Sequence, residues 1–234
     1  MNIKNFIGNF ENHPVLFVGT GISLRYLKNS YTWDGLLKKI AFDLKGDSEY
    51  YLDLKSQYEE NGVYNFEKLA SSIENEFNEA LIKERNSSKF KKINDIFYEN
   101  MEYGINLSRF KIYISQIFSR LELREEKQDK IIEFKKARKN IGSIITTNYD
   151  NLIEHIFEFN KLIGNNILLS NPYGSIYKIH GCSTEPEKII ITEKDYQQFD
   201  LKYELIRAQL LSLFIHHPII FIGYSVGDNN IKKN

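Results

Sequence analysis

The sequence predicts an α/β protein: a Rossmann-like, doubly wound parallel sheet that carries a large helical insertion. Three observations lead there. Short apolar runs without polar alternation occur near the N-terminus and again after residue 142, as expected of strands buried on both faces. Between them, more than a hundred residues show helical spacing. Each later run is followed by a turn and a further helical pattern, as in parallel strands joined by crossovers.

The first strand is Val15-Leu16-Phe17-Val18, held between Pro14 and Gly19. Later strands are Ser143-Ile144-Ile145-Thr146, Ile176-Tyr177-Lys178-Ile179 and Pro218-Ile219-Ile220-Phe221-Ile222. Lys188-Ile189-Ile190-Ile191-Thr192 is a further, shorter candidate. In the intervening region Ile73, Phe77, Ala80, Leu81 and Glu84 fall at helical spacing, as do Phe90, Ile93, Ile96 and Phe97. A third helix starts at Ser108 as N-cap and sets Phe110, Ile114, Ile117, Phe118 and Leu121 on one face. The charged stretch Glu125 to Lys139 keeps Ile131, Ile132 and Phe134 as an apolar stripe on a solvated helix. The plan is one domain, with residues 1–34 and 141–234 forming the Rossmann-like part and 35–140 the helical insertion. The chain stops soon after Gly227-Asp228-Asn229-Asn230, where a covering helix is expected, so we read it as the N-terminal part of a longer protein.

Composition narrows the function classes. The 234 residues carry 31 basic and 31 acidic side chains, and this neutral balance gives no electrostatic case for nucleic acid or an anionic membrane. A hydrophobic content of 42% argues against disorder. Cys182 is the single cysteine, which rules out an intrachain disulfide and any zinc site built on paired cysteines. No apolar run approaches the ~20 residues of a membrane-spanning helix, and the N-terminus lacks the apolar core of a secretory signal. A cytoplasmic, reducing location is expected.

Chemistry-bearing residues gather at the strand ends. Gly19-Thr20-Gly21-Ile22-Ser23 follows the first strand, and glycines there let backbone amides approach a phosphate. Position 24 is Leu, so the third glycine of the dinucleotide fingerprint is missing, and a tight packing turn explains the pair equally well. Thr146-Thr147-Asn148-Tyr149-Asp150 follows the second strand, where open α/β sheets place ligands. Asp150 or Asn148 also suits the N-cap of the next helix. His180-Gly181 ends the third strand, and His180 is the one histidine of five so placed. Gly223-Tyr224-Ser225-Val226-Gly227-Asp228 follows the last strand, as a turn or as a ribose contact.

This ordered set resembles the sirtuin (silent information regulator) family, whose motifs are Gly-Ala-Gly-x-Ser, Thr-Gln-Asn-x-Asp, His-Gly and Gly-Thr-Ser. The match is closer to the bacterial sirtuin-like branch of anti-phage defence proteins. That branch also shows a tryptophan soon after the first motif, as in Tyr31-Thr32-Trp33-Asp34-Gly35-Leu36-Leu37. It shares Lys-x-His-Gly, a Thr-x-x-Asp-Tyr such as Thr192-Glu193-Lys194-Asp195-Tyr196, and an ending like Gly223-Tyr224-Ser225…Asp228-Asn229-Asn230-Ile231. Thr20 stands for the usual alanine and Thr147 for the usual glutamine. The deacylases' segment after Ser23 and their four-cysteine zinc module are absent.

The resemblance implies an NAD+ glycohydrolase that releases nicotinamide and ADP-ribose, depleting NAD in abortive infection. It implies NAD as substrate and no metal. Asn148 would orient the ribose and the attacking water, His180 would act on the ribose hydroxyls, and Asp150 would stabilise the cationic ribose. Gly19, Thr20, Gly21 and Ser23 would hold the pyrophosphate, Gly223, Ser225 and Asp228 the adenosine side, and Ile22 and Thr147 count with them as cofactor-binding residues. A homo-oligomer with a fused or associated sensor, or a phage-derived trigger, is expected by the same analogy, with neither membrane nor direct nucleic-acid contact. Alternative readings are a non-catalytic NAD or ADP-ribose sensor and an NAD-dependent protein deacylase.

Overall fold

Five strands pair in parallel in the computed structural model, which describes residues 12–85, 88–169, 173–202 and 204–224. The first described elements are β1 (Val15–Val18) and α1 (Thr20–Tyr26), then α2 (Trp33–Lys45) and α3 (Ser48–Ser56). A small hairpin of β2 (Glu59–Glu60) and β3 (Val63–Tyr64) precedes α4 (Phe66–Lys83), α5 (Lys91–Glu102) and α6 (Arg109–Ile117). Next come α7 (Gln128–Lys136), β4 (Ser143–Thr146), α8 (Leu152–Phe157), β5 (Asn160–Ile163) and β6 (Ser175–Lys178). The last described elements are α9 (Glu193–Lys202), α10 (Glu204–His216) and β7 (Ile219–Ile222). Among the described residues, no helix is long and apolar enough to cross a membrane.

Two compact units form, one of residues 1–30, 121–182 and 203–234, the other of residues 31–120 and 183–202. The first holds the parallel sheet, in the order β5-β6-β4-β1-β7. Its three central strands, β6, β4 and β1, are buried throughout because both faces are covered. Leu16, Val18, Ile144 and Ile176 pack with Ile22, Tyr26, Ile131, Ile153 and Phe157 on one side. Val15, Phe17, Ile145 and Tyr177 pack with Ile167, Ile206 and Leu213 on the other. This alternation of neighbouring residues between two helix-covered layers is the physical content of a doubly wound sheet. The chain moves from β1 to β4 on one side and returns to β7 on the other, so β1 marks the point where strand order reverses.

The second unit is helical. Thr32 caps α2 by accepting from the Gly35 N–H at 3.0 Å, and Gly46 ends that helix at φ 72°. Phe77 of α4 contacts Phe90, Phe110 and Tyr113 at ring separations of 5.3, 6.1 and 5.2 Å. The buried Arg109 donates from Nε to Asn94 Oδ1 at 2.7 Å and lays its guanidinium 3.5 Å from the Phe97 ring centre.

Several expectations change. The helical unit covers 31–120 plus 183–202, rather than 35–140, because α7 packs with the sheet. Phe134 of α7 stands edge-on to Phe157 at 5.0 Å, while Ile132 points outward and leaves the expected stripe. Residues 188–192 form no strand: Ile189, Ile190 and Ile191 are buried as irregular chain leading into α9. An unexpected strand, β5, forms the sheet edge beside β6.

Candidate functional site

The sheet register levels the four strand ends. Val18 pairs with Thr146 and Ile222, and Thr146 with Lys178, so the loops after β1, β4, β6 and β7 leave the sheet at one height. Thr20, Asn148 and His180 each stand two residues past that line. Open α/β sheets bind ligands there, beyond the carboxyl ends of the strands and near the reversal of strand order.

Asn148 is the most constrained of these residues, at 3% exposure. Its N–H donates to Thr146 Oγ1 at 3.1 Å, and that hydroxyl donates to the Val18 carbonyl at 2.8 Å. Its Nδ2 donates to the Gly19 carbonyl at 3.1 Å and to Ser23 Oγ at 3.0 Å. A backbone carbonyl can only accept, so the amide orientation is fixed with nitrogen toward β1. Oδ1 is buried and has no hydrogen-bond partner among the described residues. An orphaned buried acceptor costs about 1–3 kcal/mol, which a donor from a ligand or water would offset.

Ser23, expected at a phosphate, is 1% exposed and instead holds Asn148. The glycines of the first turn serve close packing. A Cβ on Gly19 would lie 2.6 Å from the Gly223 carbonyl, and one on Gly21 would lie 2.8 Å from Gly223 Cα. The Gly19 N–H donates to Ile222 O at 3.0 Å and the Gly21 N–H to Gly223 O at 2.8 Å. Both amides expected to meet phosphate are therefore engaged by the end of β7. The Ile22 side chain lies in the core, and its N–H donates to Gly19 O at 3.2 Å. Thr20 and Thr147 remain half-buried. Ser225 and Asp228 lie outside the described residues.

Asp150 takes the capping role: its Oδ1 accepts from the Leu152 N–H at 3.0 Å at the start of α8. Beneath it lies Lys178, fully buried, whose ammonium donates to the Asp150 carbonyl and, at 2.9 Å, to Glu154 Oε1. Burial alone would lower the Lys178 pKa, but the Glu154 carboxylate, with Cys182 and Asp150 adding to it, holds it above the ordinary lysine value. Glu154 Oε2 has no hydrogen-bond partner among the described residues. Sequence reading gave Lys178 no role, although a lysine inside an apolar strand is itself a signal.

His180 sits in the turn after β6, where the Ile179 N–H donates to Thr146 O at 3.1 Å. That bond ties its loop to the strand leading to Asn148. Gly181, at φ 86°, lets the chain reverse immediately afterwards. Burial pushes the His180 pKa down to about 4, although part of the residue stays open to solvent, so the imidazole is neutral near pH 7. Among the described residues, no three His, Cys, Asp or Glu side chains converge as metal ligands.

The family model of the SIR2-like domain matches residues 142–233, from the start of β4 past the end of β7. This part of the chain is similar to the SIR2-like domain. Defense-associated sirtuin 2 of Bacillus subtilis is 34% identical over 102 residues, which are 40% of this chain and 10% of that protein. The NAD(+) hydrolase ThsA of Acinetobacter baumannii (strain 532279) is 27% identical over 103 residues, 41% of this chain and 21% of that protein. The chain thus spans a small fraction of the length of these relatives. Two further sirtuin-like motifs meet in the helical unit: Trp33 stacks between Phe66 and Tyr196 at 5.8 Å from each. Asp195 accepts from the N–H groups of Ile191 and Thr192 at 3.2 and 3.0 Å, so Thr-x-x-Asp-Tyr caps α9.

Proposed function

We propose that this chain hydrolyses the nicotinamide–ribose bond of NAD+, giving nicotinamide, ADP-ribose and a proton, in the service of anti-phage defence. The observation that carries the reading is the orphaned Oδ1 of Asn148, held beyond the strand ends by bonds to Gly19 and Ser23. The likeness to a protein named as an NAD(+) hydrolase supports it.

In this reading Oδ1 accepts a hydrogen bond from the attacking water or a ribose hydroxyl. The C–N bond breaks with its electron pair going to the nicotinamide ring, which departs neutral, and positive charge develops on the ribose. Water adds its oxygen to the anomeric carbon. Neutral His180 accepts a proton from that water or from a ribose hydroxyl, a task its lowered pKa permits at pH 7. Asp150, fixed by its cap, adds negative charge on the same loop. With the Gly19 and Gly21 amides engaged, half-buried Thr20 is the residue of the first turn left to contact the pyrophosphate, and Thr147 stands beside it as a further cofactor contact.

Nicotinamide release from NAD+ tests the proposal. Wild-type protein is expected to release nicotinamide, and Asn148→Ala is expected to lower the rate by about 10²–10³-fold, the scale of losing one aligned polar group. Equal activity in the two proteins would overturn the assignment of Asn148. Binding of NAD+ with intact dinucleotide recovered would mark a sensor instead.

A further inference from the structure

Asn148 belongs to an irregular loop, residues 147–150, and His180 to the turn that follows β6. Ladder hydrogen bonds end with the strands, so side chains must hold one of these segments to the other. Two buried donors do so, one on each side of the imidazole. Lys178, two residues before His180, donates from its ammonium to the carbonyl of Asp150, two residues past Asn148. Cys182, two residues after His180, donates from its thiol to Asn151 Oδ1 at 3.2 Å. Each donor is itself held: Lys178 by Glu154 Oε1 at 2.9 Å, and Cys182 by Lys161, whose Nζ donates to its sulfur at 3.8 Å. The turn carrying His180 is thus stapled to the Asn148 loop both before and after the histidine.

Stability alone does not account for a lysine here. A buried ion pair contributes little beyond what apolar side chains of similar volume would, because both charges lose their water. Strand β6 is buried along its whole length, so an apolar residue at position 178 would suit its surroundings. What an apolar residue cannot supply is a directional bond to the Asp150 carbonyl. Likewise the thiol of Cys182 is a weak donor, and what it adds is direction rather than strength.

We infer that Lys178 and Cys182 are positioning residues, which together fix the His180 imidazole relative to Asn148 Oδ1. The inference rests on the hydrolase reading above, in which those two groups act on one ribose and one water. Neither Lys178 nor Cys182 touches the dinucleotide; both act through the turn between them. A misplacement of about 1 Å in a reacting group costs on the order of 10²-fold in rate.

Heteronuclear NMR and nicotinamide release, both on the full chain, test the inference. Lys178→Met/Glu154→Gln leaves no stranded charge, and Cys182→Ala removes the thiol. In both variants the Asn148 side-chain amide and His180 ring signals are expected to shift or broaden, while the Trp33 indole signal, in the other unit, stays in place. Turnover per folded molecule is expected to fall by on the order of 10–100-fold in the lysine variant, with KM little changed. Introduced into His180→Ala, the same change is expected to lose most of that effect, whereas a general loss of structure would repeat it in full. Unmoved Asn148 and His180 signals overturn the inference whether or not the chain cleaves NAD+. So does wild-type turnover in either variant, or an undiminished loss in the His180→Ala background. A wild type that releases no nicotinamide refutes the hydrolase reading instead, and the NMR signals then decide the positioning role.

Discussion

Replacing Lys178 with methionine keeps the length and apolar stem of the side chain and removes only its ammonium. That ammonium is fully buried, donates to the Asp150 carbonyl and lies 2.9 Å from Glu154 Oε1. Without it, Glu154 keeps a carboxylate that is 16% exposed and has no other ion-pair partner among the described residues. Stranding one member of a buried pair costs about 3–5 kcal/mol, and partial access of water to Glu154 puts this case near the lower end. We therefore expect urea denaturation to show a loss of about 3 kcal/mol, roughly a 150-fold change in the unfolding equilibrium. Adding Glu154→Gln to the methionine variant removes the stranded charge and is expected to restore about half of the loss. Because the lysine pKa is raised, the ammonium's contribution is complete at neutral pH and is lost only as pH rises through the folded value. A Lys178→Met cost below about 1 kcal/mol, or no recovery in the double variant, would refute the electrostatic account of this strand end.

Two further outcomes follow from the same region. Gly223→Ala places a Cβ 2.5 Å from the Ile22 nitrogen at a φ of 63°, so thermal unfolding should reveal a destabilisation of about 2–5 kcal/mol. His180 has a folded pKa of about 4 against an ordinary 6.5, so on acidification the unfolded chain takes the proton first. Its contribution is complete above pH 6.5 and is lost between pH 6.5 and 4; unfolding midpoints measured across that window should fall less steeply in His180→Gln than in wild type.

Legibility in the sequence tracked burial on two faces. β1, β4 and β6 stood out because strands covered by helices on both sides are continuous apolar runs, and β7 because its run is apolar although Phe221 stays exposed. β5 did not, since Asn160 and Lys161 belong to an edge where polar side chains reach water. Ile189-Ile190-Ile191 misled for the converse reason: an apolar run reports burial, and here it is buried without pairing. The strand ends were legible as a place for chemistry, and the placement of Asn148 and His180 needed only the order of the strands. The bond partner of Asn148 was not legible, because Ser23 lies 125 positions away and only the β1–β4 pairing brings it near. Nor was the use of the Gly19 and Gly21 amides, since a glycine pair looks the same in sequence whether backbone or ligand approaches it.

The bond from Thr146 to Val18 spans 128 positions, and it is one of the contacts that assemble the Asn148 loop. Loop closure over such a distance is paid before its contacts form, which makes sheet closure a late and slow event in folding. A chain still emerging from the ribosome carries the glycine turn long before β4 and β6 exist. During that interval no Asn148 faces Ser23 and no site is assembled. The order of synthesis therefore delays any chemistry at the strand ends until β6 and the turn after it have been made.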